Sequence, residues 1–396
     1  MSASTIVVAL NAQLLRGLDL QQKERITMTD LAASEGRTSG ITMEELALAA
    51  RNHGMPLEAL RYDVTPVGLH YLLIHFDIPA ADERTWRLEI GGRVATPVSL
   101  SMEELRRRPE VTAPVTLECA GNGRARLDPR PVSQPWLEEA VGTAEWTGTP
   151  LASLLEEAGV GPDAVEVAFA GADRGVQGGL EHDYERSLPL AEAMRPEVLL
   201  AWGVNGRPLP PQHGYPLRLV VPGWYGMTSV KWLRRISVLG EPFDGYQQTG
   251  SYLIHASEDD PGTPVTRIQP RSLLLPPGIP EFESRRRFLA PGRHLLTGRA
   301  WSGLAPVATV EVSADGGRTW QPAELDGQPS PWAWAGWRFA WEAAPGSYEL
   351  CSRATDAAGN TQPLEAPWNT GGYVNNAVQR VQVTVRDPAD AAAGPA

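Results

Sequence analysis

A dense group of prolines divides this chain into two parts that carry different sequence patterns. Six of its 35 prolines fall between residues 258 and 280 of 396. Proline lacks a backbone N–H and has a fixed φ, so this density excludes a regular helix or a central strand. We therefore place a Pro-rich connection at residues 251–284. The six prolines are Pro261, Pro264, Pro270, Pro276, Pro277 and Pro280.

The part before this connection alternates between two periodicities. Short β-like runs such as VTLECA and LRLVVPG are interspersed with helical runs such as PLASLLEEAG. This alternation is typical of a mixed α/β domain, which we assign to residues 60–250. Residues 1–59 contain one clear helical pattern, MEELALAARN, and are predicted to form an N-terminal helical extension without a functional signal.

The part after the connection alternates with period 2. Apolar and polar residues alternate in TVEVS and VQVTV, and DGG and DG turn signals separate such runs. This pattern predicts short antiparallel strands in an all-β immunoglobulin-like sandwich over residues 285–388, followed by a disordered tail at 389–396. The predicted fold class is therefore α+β, with a mixed α/β domain followed by a sandwich.

Charge and hydropathy exclude two classes of partner. The 35 Lys and Arg residues against 47 Asp and Glu residues give a net charge of −12, the wrong sign for neutralising a nucleic-acid backbone. No apolar run approaches the roughly 18 residues that a membrane span needs. The first fifteen residues contain no Lys or Arg, so no export signal is visible and we expect a cytoplasmic location.

The two cysteines have different surroundings. Cys119 ends a β-like run and precedes Ala-Gly-Asn-Gly-Arg, where glycines allow backbone to approach a ligand closely. Arg124 and Arg126 would favour its thiolate, the form that binds a metal or attacks a carbonyl. The alternative is a buried free cysteine in a tight turn. Cys351 lies in an alternating strand and is interpreted as structural.

A second cluster of polar residues surrounds the strand LRLVV. His213 and Arg218 precede or begin it, and Lys231 follows a glycine-rich turn. Arg and Lys beside open loops suit a phosphate group, although surface charge around a core strand is the alternative. His75 stands in an apolar setting that is more typical of a core histidine. Asp173 belongs to an acidic region that could contact a ligand.

These motifs together resemble the sulfite oxidase family of molybdopterin-dependent oxidoreductases, in its haem-free bacterial form. TLECAGNGR resembles the segment that supplies a thiolate to molybdenum, and HGYPLRLVVPGWYGMTSVKWL the cofactor-phosphate segment. WNTGGYVNNAVQRVQV resembles part of the dimerisation domain. The resemblance implies a molybdenum–molybdopterin cofactor, no haem and a homodimer.

The resemblance also implies roles for individual residues. Cys119 would be the protein ligand to the metal, and Arg124 would contact the substrate as a catalytic residue. The residues implied to bind the cofactor are His75, Cys119, Asp173, His213, Arg218, Ser229 and Lys231.

Three positions depart from the family pattern. Leu73 and Gly371 stand where sulfite oxidases have arginines, and Trp202 stands where we expect the catalytic tyrosine. Each lost charge-assisted contact to sulfite is worth roughly 1.5–3 kcal/mol. Other arginines could substitute, namely Arg126, Arg130 and Arg174.

The predicted function is two-electron oxygen-atom transfer, with sulfite to sulfate as the first candidate reaction. A sulfoxide or another oxo compound is the alternative substrate. With no haem motif in the sequence, electrons are expected to pass to a separate partner, a cytochrome or similar protein. Two other classes remain open at this point: a thiol enzyme with Cys119 as nucleophile, and a non-catalytic scaffold.

Overall fold

The computed structural model describes residues 40–257 and 259–387. The predicted tail at 389–396 and most of the predicted N-terminal extension lie outside these residues. Within the described ranges, no helix is long and apolar enough to cross a membrane. The α-helices are α1 (Met43–Arg51), α2 (Met102–Arg106), α3 (Leu151–Ala158), α4 (Leu190–Ala193) and α5 (Tyr246–Thr249).

Most of the regular structure is β-strand. The strands before the Pro-rich connection are β1 (Arg87–Gly92), β2 (Val98–Ser101), β3 (Val111–Glu118), β4 (Val141–Pro150), β5 (Glu166–Gln177), β6 (Leu180–Pro189), β7 (Leu199–Val204), β8 (Arg207–Pro208), β9 (Arg218–Val220) and β10 (Leu233–Leu239). Those from the connection onward are β11 (Leu253–Ile254), β12 (Thr263–Pro264), β13 (Arg271–Leu274), β14 (Ile279–Pro280), β15 (Arg287–Leu289), β16 (Gly292–Trp301), β17 (Val307–Ser313), β18 (Gln321–Pro322), β19 (Glu324–Leu325), β20 (Ala335–Ala343), β21 (Gly346–Asp356) and β22 (Val381–Val385).

Two five-stranded sheets form the first part of the fold. One has the order β2-β1-β10-β5-β6, in which β1 and β10 are parallel and the other neighbours antiparallel. The other has the order β3-β4-β7-β8, with β9 also paired to β7. The prediction of a mixed α/β domain is confirmed. The helices are few and short, however, and strands make up most of the regular structure. The run PLAEAMRP forms only the single turn α4.

Helix α3 shows how a short helix is fixed to the first sheet. Leu151, Leu154, Leu155 and Ala158 have the i, i+3, i+4, i+7 spacing of one helical face, and all four are buried. They share a core with strands β1, β5 and β10. Gly159 ends the helix with φ of 71°, a left-handed conformation that favours glycine.

The second part of the fold is a β-rich pair of sheets. Their orders are β13-β16-β20-β19 and β14-β15-β22-β21-β17-β18. Alternate residues of both sheets, among them Leu296, Trp337, Val312 and Val383, share one buried core, which makes the pair a sandwich as the period-2 pattern predicts. Within the described residues, the Pro-rich connection contains the short strands β11 to β14. Pro264 and Pro280 end β12 and β14, which lie at sheet edges, where proline is tolerated.

Helix α1 is held by a capping box. The Thr42 hydroxyl accepts from the Glu45 N–H at 3.2 Å, and the Glu45 carboxylate accepts from the Thr42 N–H at 2.9 Å. Buried Glu45 also pairs with Arg130. Leu48 of this helix and Asn52 directly after it line a cavity described below, a position that the sequence interpretation of the extension does not include.

Candidate active site

Two adjoining cavities meet at Cys119. Both are lined by Leu73, His75, Cys119 and Tyr252, which therefore stand at the boundary between them. The first cavity, a narrow cleft, is lined mainly by residues of two segments, 70–75 and 213–231. The second has a volume of about 260 Å³, just below the usual range of ligand pockets.

Strand β3 places Cys119 at this junction. The apolar side chains of β3 enter the core of the second sheet, and Cys119 follows the last strand residue directly. Its N–H donates to the carbonyl of Ala140 at 2.9 Å, and its own carbonyl accepts from Asn122 N–H at 3.0 Å. The thiol is free and buried, and this burial raises its pKa, against a smaller opposing effect of Arg124. A bound metal would replace the thiol proton, since the thiolate is the form that coordinates.

The carboxylate of Glu118, the last residue of β3, holds the start of the turn that begins at Cys119. One Glu118 oxygen accepts from Arg271 at 3.0 Å and from Asn122 Nδ2 at 2.9 Å, and the other accepts from Trp301 Nε1 at 2.8 Å. Asn122 in turn accepts from the Ala140 N–H at 3.0 Å. The network is buried throughout and links the turn to strands β13 and β16.

Arg124 lies in the wall of the second cavity. Its Nε donates to the carbonyl of Gly371 at 2.9 Å and its Nη1 to the carbonyl of Gln134 at 3.4 Å. The guanidinium lies 5.0 Å from the centroid of the Tyr373 ring. A Cβ on Gly121 would stand 2.7 Å from the guanidinium, so only glycine permits this packing.

The predicted cofactor-binding cations meet in the first cavity. Arg218 donates to the carbonyls of His213 and Ser229, each at 3.1 Å, and lies over the Trp146 ring. Lys231 Nζ donates to the carbonyls of Leu73 at 2.7 Å and Gln212 at 3.1 Å. These hydrogen bonds go to main-chain carbonyls, and neither cation makes one to a carboxylate among the residues described.

Burial lowers the pKa values of the basic groups in this cavity, and a bound anion would oppose this effect. Burial lowers the pKa of Lys231 to about 7, with Arg218 adding to the effect, and lowers that of Arg218 to about 10. It lowers the pKa of His213 to about 2, so that ring is neutral. A bound phosphate would stabilise the charged forms of the lysine and arginine.

Two polar atoms in the first cavity lack hydrogen-bond partners in the described part of the chain. They are His70 Nε2 and Asp173 Oδ1, both buried. Burial raises the pKa of Asp173 to about 7, partly opposed by Lys231. Since buried polar groups are nearly always satisfied, these two atoms indicate that the cavity receives a polar ligand. Together with the cations and the thiol, they fit a phosphate-bearing pterin and its metal.

His75 faces a tyrosine that the sequence analysis missed. Its Nε2 lies 3.2 Å from the Tyr252 hydroxyl, and burial lowers its pKa to about 3, so its ring is neutral. Trp202, by contrast, lies on β7 of the second sheet, packs in the core shared with the first sheet and lines neither cavity, so its position does not support its prediction as a catalytic residue. The hydroxyl at the junction is that of Tyr252.

The second cavity also receives residues to which the sequence analysis gave no role. Leu48 comes from α1, Asn52 directly follows that helix, Gln134 comes from a loop, and Tyr373 belongs to the motif WNTGGYVNNAVQRVQV before β22. Asn52 is fixed by donating to Gln134 at 3.0 Å and accepting from Ile74 N–H at 2.7 Å. Nothing in the sequence pattern of this region indicates that Asn52 is buried or lines a cavity.

The arginines considered as substitutes lie elsewhere. Arg126 pairs with Glu138, Arg130 with Glu45, and Arg174 with Glu181 and Asp183. None of the three lines either cavity. Across the described residues, no group of three or more His, Cys, Asp or Glu side chains is arranged to hold a metal ion.

Comparison with known protein families agrees with this geometry. An oxidoreductase molybdopterin binding domain matches residues 75–247, and a Mo-co oxidoreductase dimerisation domain matches residues 286–386. The fold is that of a molybdopterin-binding oxidoreductase. The chain belongs to the sulfite oxidase family of these proteins.

The relatives that this chain resembles are named for different activities. The chain is 35% identical to a nitrate reductase of Hordeum vulgare over 82% of its length and 40% of that protein. It is 36% identical to mitochondrial sulfite oxidase of Mus musculus over 81% of its length and 62% of that protein. The chain thus spans less than two thirds of these curated relatives.

A solved structure covers nearly the whole chain. The sulfane dehydrogenase SoxCD from Paracoccus pantotrophus matches with a TM-score of 0.75 and 27% identity, covering 93% of this chain and 95% of that one. The likeness extends over both parts of the fold.

Proposed function

We propose that this protein is a molybdenum-cofactor-dependent oxidoreductase that transfers one oxygen atom to or from a sulfur-containing substrate. The observation that carries the proposal is the position of Cys119, a buried thiol between two cavities. One is lined by Arg218 and Lys231, which form no ion pair with a carboxylate among the described residues, and the other is open to a small substrate. Sulfite and sulfane, in the names of two similar proteins, favour sulfur as the reacting atom; nitrate is the competing candidate.

When bound, the molybdenum cofactor supplies the two-electron chemistry of oxygen transfer. Cys119 would contribute the one protein ligand to the metal. Arg218 and Lys231, already directed into the first cavity, would hold the cofactor phosphate, with Ser229 and His213 beside them. Asp173 and His70 would offer their unpaired atoms to polar groups of the pterin.

The second cavity would hold the substrate next to the metal. Arg124 supplies positive charge, and Tyr252 with neutral His75 supplies a hydroxyl and a ring nitrogen at the junction. In the oxidative direction, the substrate and one water yield the oxygenated substrate, two protons and two electrons. The electrons would leave to a separate one-electron redox protein such as a cytochrome. The match to the dimerisation domain supports a homodimer.

The substrate class is tested by comparing sulfur compounds with nitrate. Purified protein of known molybdenum content is assayed with sulfite and an oxidising dye, and with methyl phenyl sulfoxide or nitrate and a reduced dye. We expect turnover with at least one sulfur compound and none with nitrate above the rate of molybdenum-free protein. Turnover with nitrate alone would contradict the proposal.

A further inference from the structure

Tyr373 occupies a distinctive place in the second cavity. Its ring lies beside the Arg124 guanidinium, 5.0 Å from centroid to Cζ, and 5.2 Å from the centroid of the Tyr252 ring. Its hydroxyl lies 3.2 Å from the Ser251 hydroxyl. Asn369 fixes its backbone by accepting from the Tyr373 N–H at 3.0 Å and donating to its carbonyl at 2.8 Å. The ring is therefore held by its own loop as well as by its neighbours.

The two glycines before Tyr373 are required for this arrangement. A Cβ on Gly371 would stand 2.4 Å from the Tyr373 ring, closer than real Cβ contacts allow. A Cβ on Gly372 would stand 2.7 Å from Arg124 Cγ, and Gly372 has φ of 61°. The tyrosine ring thus fills the space in which a side chain at 371 would begin, and no cation can be supplied from that position while the ring is there.

Arg124 is consequently enclosed. The Tyr373 ring covers it on one side, Gly121 is in close packing with it, and two of its N–H groups are already directed at main-chain carbonyls. Of the described residues that line the second cavity, Arg124 is the only one with a charged side chain at neutral pH, since His75 is neutral. A small dianion needs several charge-assisted donors at once, and this wall offers one partly satisfied guanidinium.

The rest of the cavity wall suits an uncharged molecule with an apolar portion. Leu48, Leu73, Phe76 and Val176 contribute apolar surface, while Asn52 and Gln134 contribute neutral polar groups. A few polar groups within a mainly apolar lining are typical of sites for organic ligands.

From this geometry we propose that Tyr373 is a specificity-determining residue, which shields Arg124 and selects an uncharged organosulfur compound, such as a sulfoxide or thioether, over a small sulfur dianion. The proposal rests on the proposed function and names the substrate class of that same site. Tyr373 acts through the packing of its ring, and its hydroxyl contributes only to the orientation of that ring.

Sulfate provides a redox-inert dianion with which to test the shielding directly. In calorimetric titration of the purified protein, wild type should bind sulfate weakly, and Tyr373→Ala should bind it at least about tenfold more tightly, because the guanidinium is uncovered. Tyr373→Phe keeps the ring and is the matched control: its sulfate affinity should stay within about twofold of wild type. Adding Arg124→Met to Tyr373→Ala should remove the gain.

Kinetics give a second, independent readout. In the molybdenum-loaded protein, the ratio of kcat/KM for methyl phenyl sulfoxide to that for sulfite should exceed one and should fall at least about tenfold in Tyr373→Ala. If Tyr373→Ala does not fold, Tyr373→Leu replaces it with the same expected direction. Folded ring-deletion variants that bind sulfate no better than wild type, or a wild type that prefers sulfite, would overturn the proposal. The sulfate titration needs no turnover, so an inactive but loaded protein would count against the proposed function alone.

Discussion

Replacing Cys119 with serine should reduce molybdenum-dependent turnover by more than about 100-fold, because even loss of an outer-shell partner of a metal ligand costs roughly 10- to 100-fold. A serine hydroxyl is a harder ligand and does not ionise near neutral pH, so it does not replace the soft thiolate. Oxygen replaces the more polarizable sulfur atom, and the volume of the side chain changes little. The fold should therefore persist. The measurement is the turnover rate per bound molybdenum, with circular dichroism and the melting temperature as checks on folding.

Cys351→Ala is the matched control for this experiment. Cys351 is also free and buried, but it lies in strand β21, within the sandwich and away from both cavities. Its replacement should leave turnover per molybdenum unchanged. Retention of more than about a tenth of wild-type turnover by Cys119→Ser would contradict the role of this thiol as metal ligand.

Replacing Glu118 with alanine should lower the free energy of unfolding by about 3–5 kcal/mol, the usual cost of leaving one member of a buried ion pair without its partner. Arg271 would remain buried opposite the missing carboxylate, and Trp301 Nε1 would lose its acceptor. The measurement is urea unfolding followed by circular dichroism and tryptophan fluorescence. Site geometry should suffer as well, because Asn122 loses the contact that orients the turn after Cys119.

The control for Glu118 is an ion pair of similar chemistry on the surface. Glu324 pairs with Arg338 at 2.5 Å, and both side chains are about half exposed or more. Exposed pairs contribute roughly 0–1 kcal/mol, so Glu324→Ala should change the unfolding free energy by no more than that. If Glu118→Ala and Glu324→Ala had equal small effects, the buried network would not be what joins the Cys119 turn to the C-terminal sheets.

The parts of the site that sequence could predict are those written in continuous motifs. Cys119 and Arg124 stand in one strand-turn segment, and His213, Arg218 and Lys231 in another. Local pattern therefore makes them candidates, and the family resemblance supplies their expected roles. The close approach at Gly214 explains why the second group converges: a Cβ there would meet Arg218 and Lys231, each at 3.1 Å.

Residues that arrive through tertiary structure escaped prediction. Tyr252 lies just before β11, in a stretch read as a connection, and Tyr373 belongs to the segment before β22. The prediction of Trp202 rests on the resemblance, because it stands where the family has a tyrosine, whereas the fold brings the hydroxyl of Tyr252 to the junction of the cavities. Leu48 and Asn52 were missed because a helix outside the main pattern gives no sign of what it covers.

The secondary structure also divides into elements that local sequence predicts and elements that tertiary structure determines. The apolar spacing of α3 and the period-2 pattern of the sandwich predicted their elements correctly, since each pattern matches one buried face. The run PLAEAMRP has helical composition but forms a single turn, because β6 ends at Pro189 directly before it and Pro196 follows it, and proline does not continue a helix. The immunoglobulin-like character of the sandwich stays a prediction.

The central claim is that this chain carries molybdenum through a pterin cofactor, and the metal content of the purified protein tests it most directly. The protein is produced in a host that makes the cofactor and, as baseline, in a host that cannot, and molybdenum is measured by mass spectrometry against protein concentration. We expect about one molybdenum per chain from the first host, together with the fluorescence of an oxidised pterin, because one cofactor carries one metal. Folded protein from that host with no more molybdenum than the baseline would contradict the account.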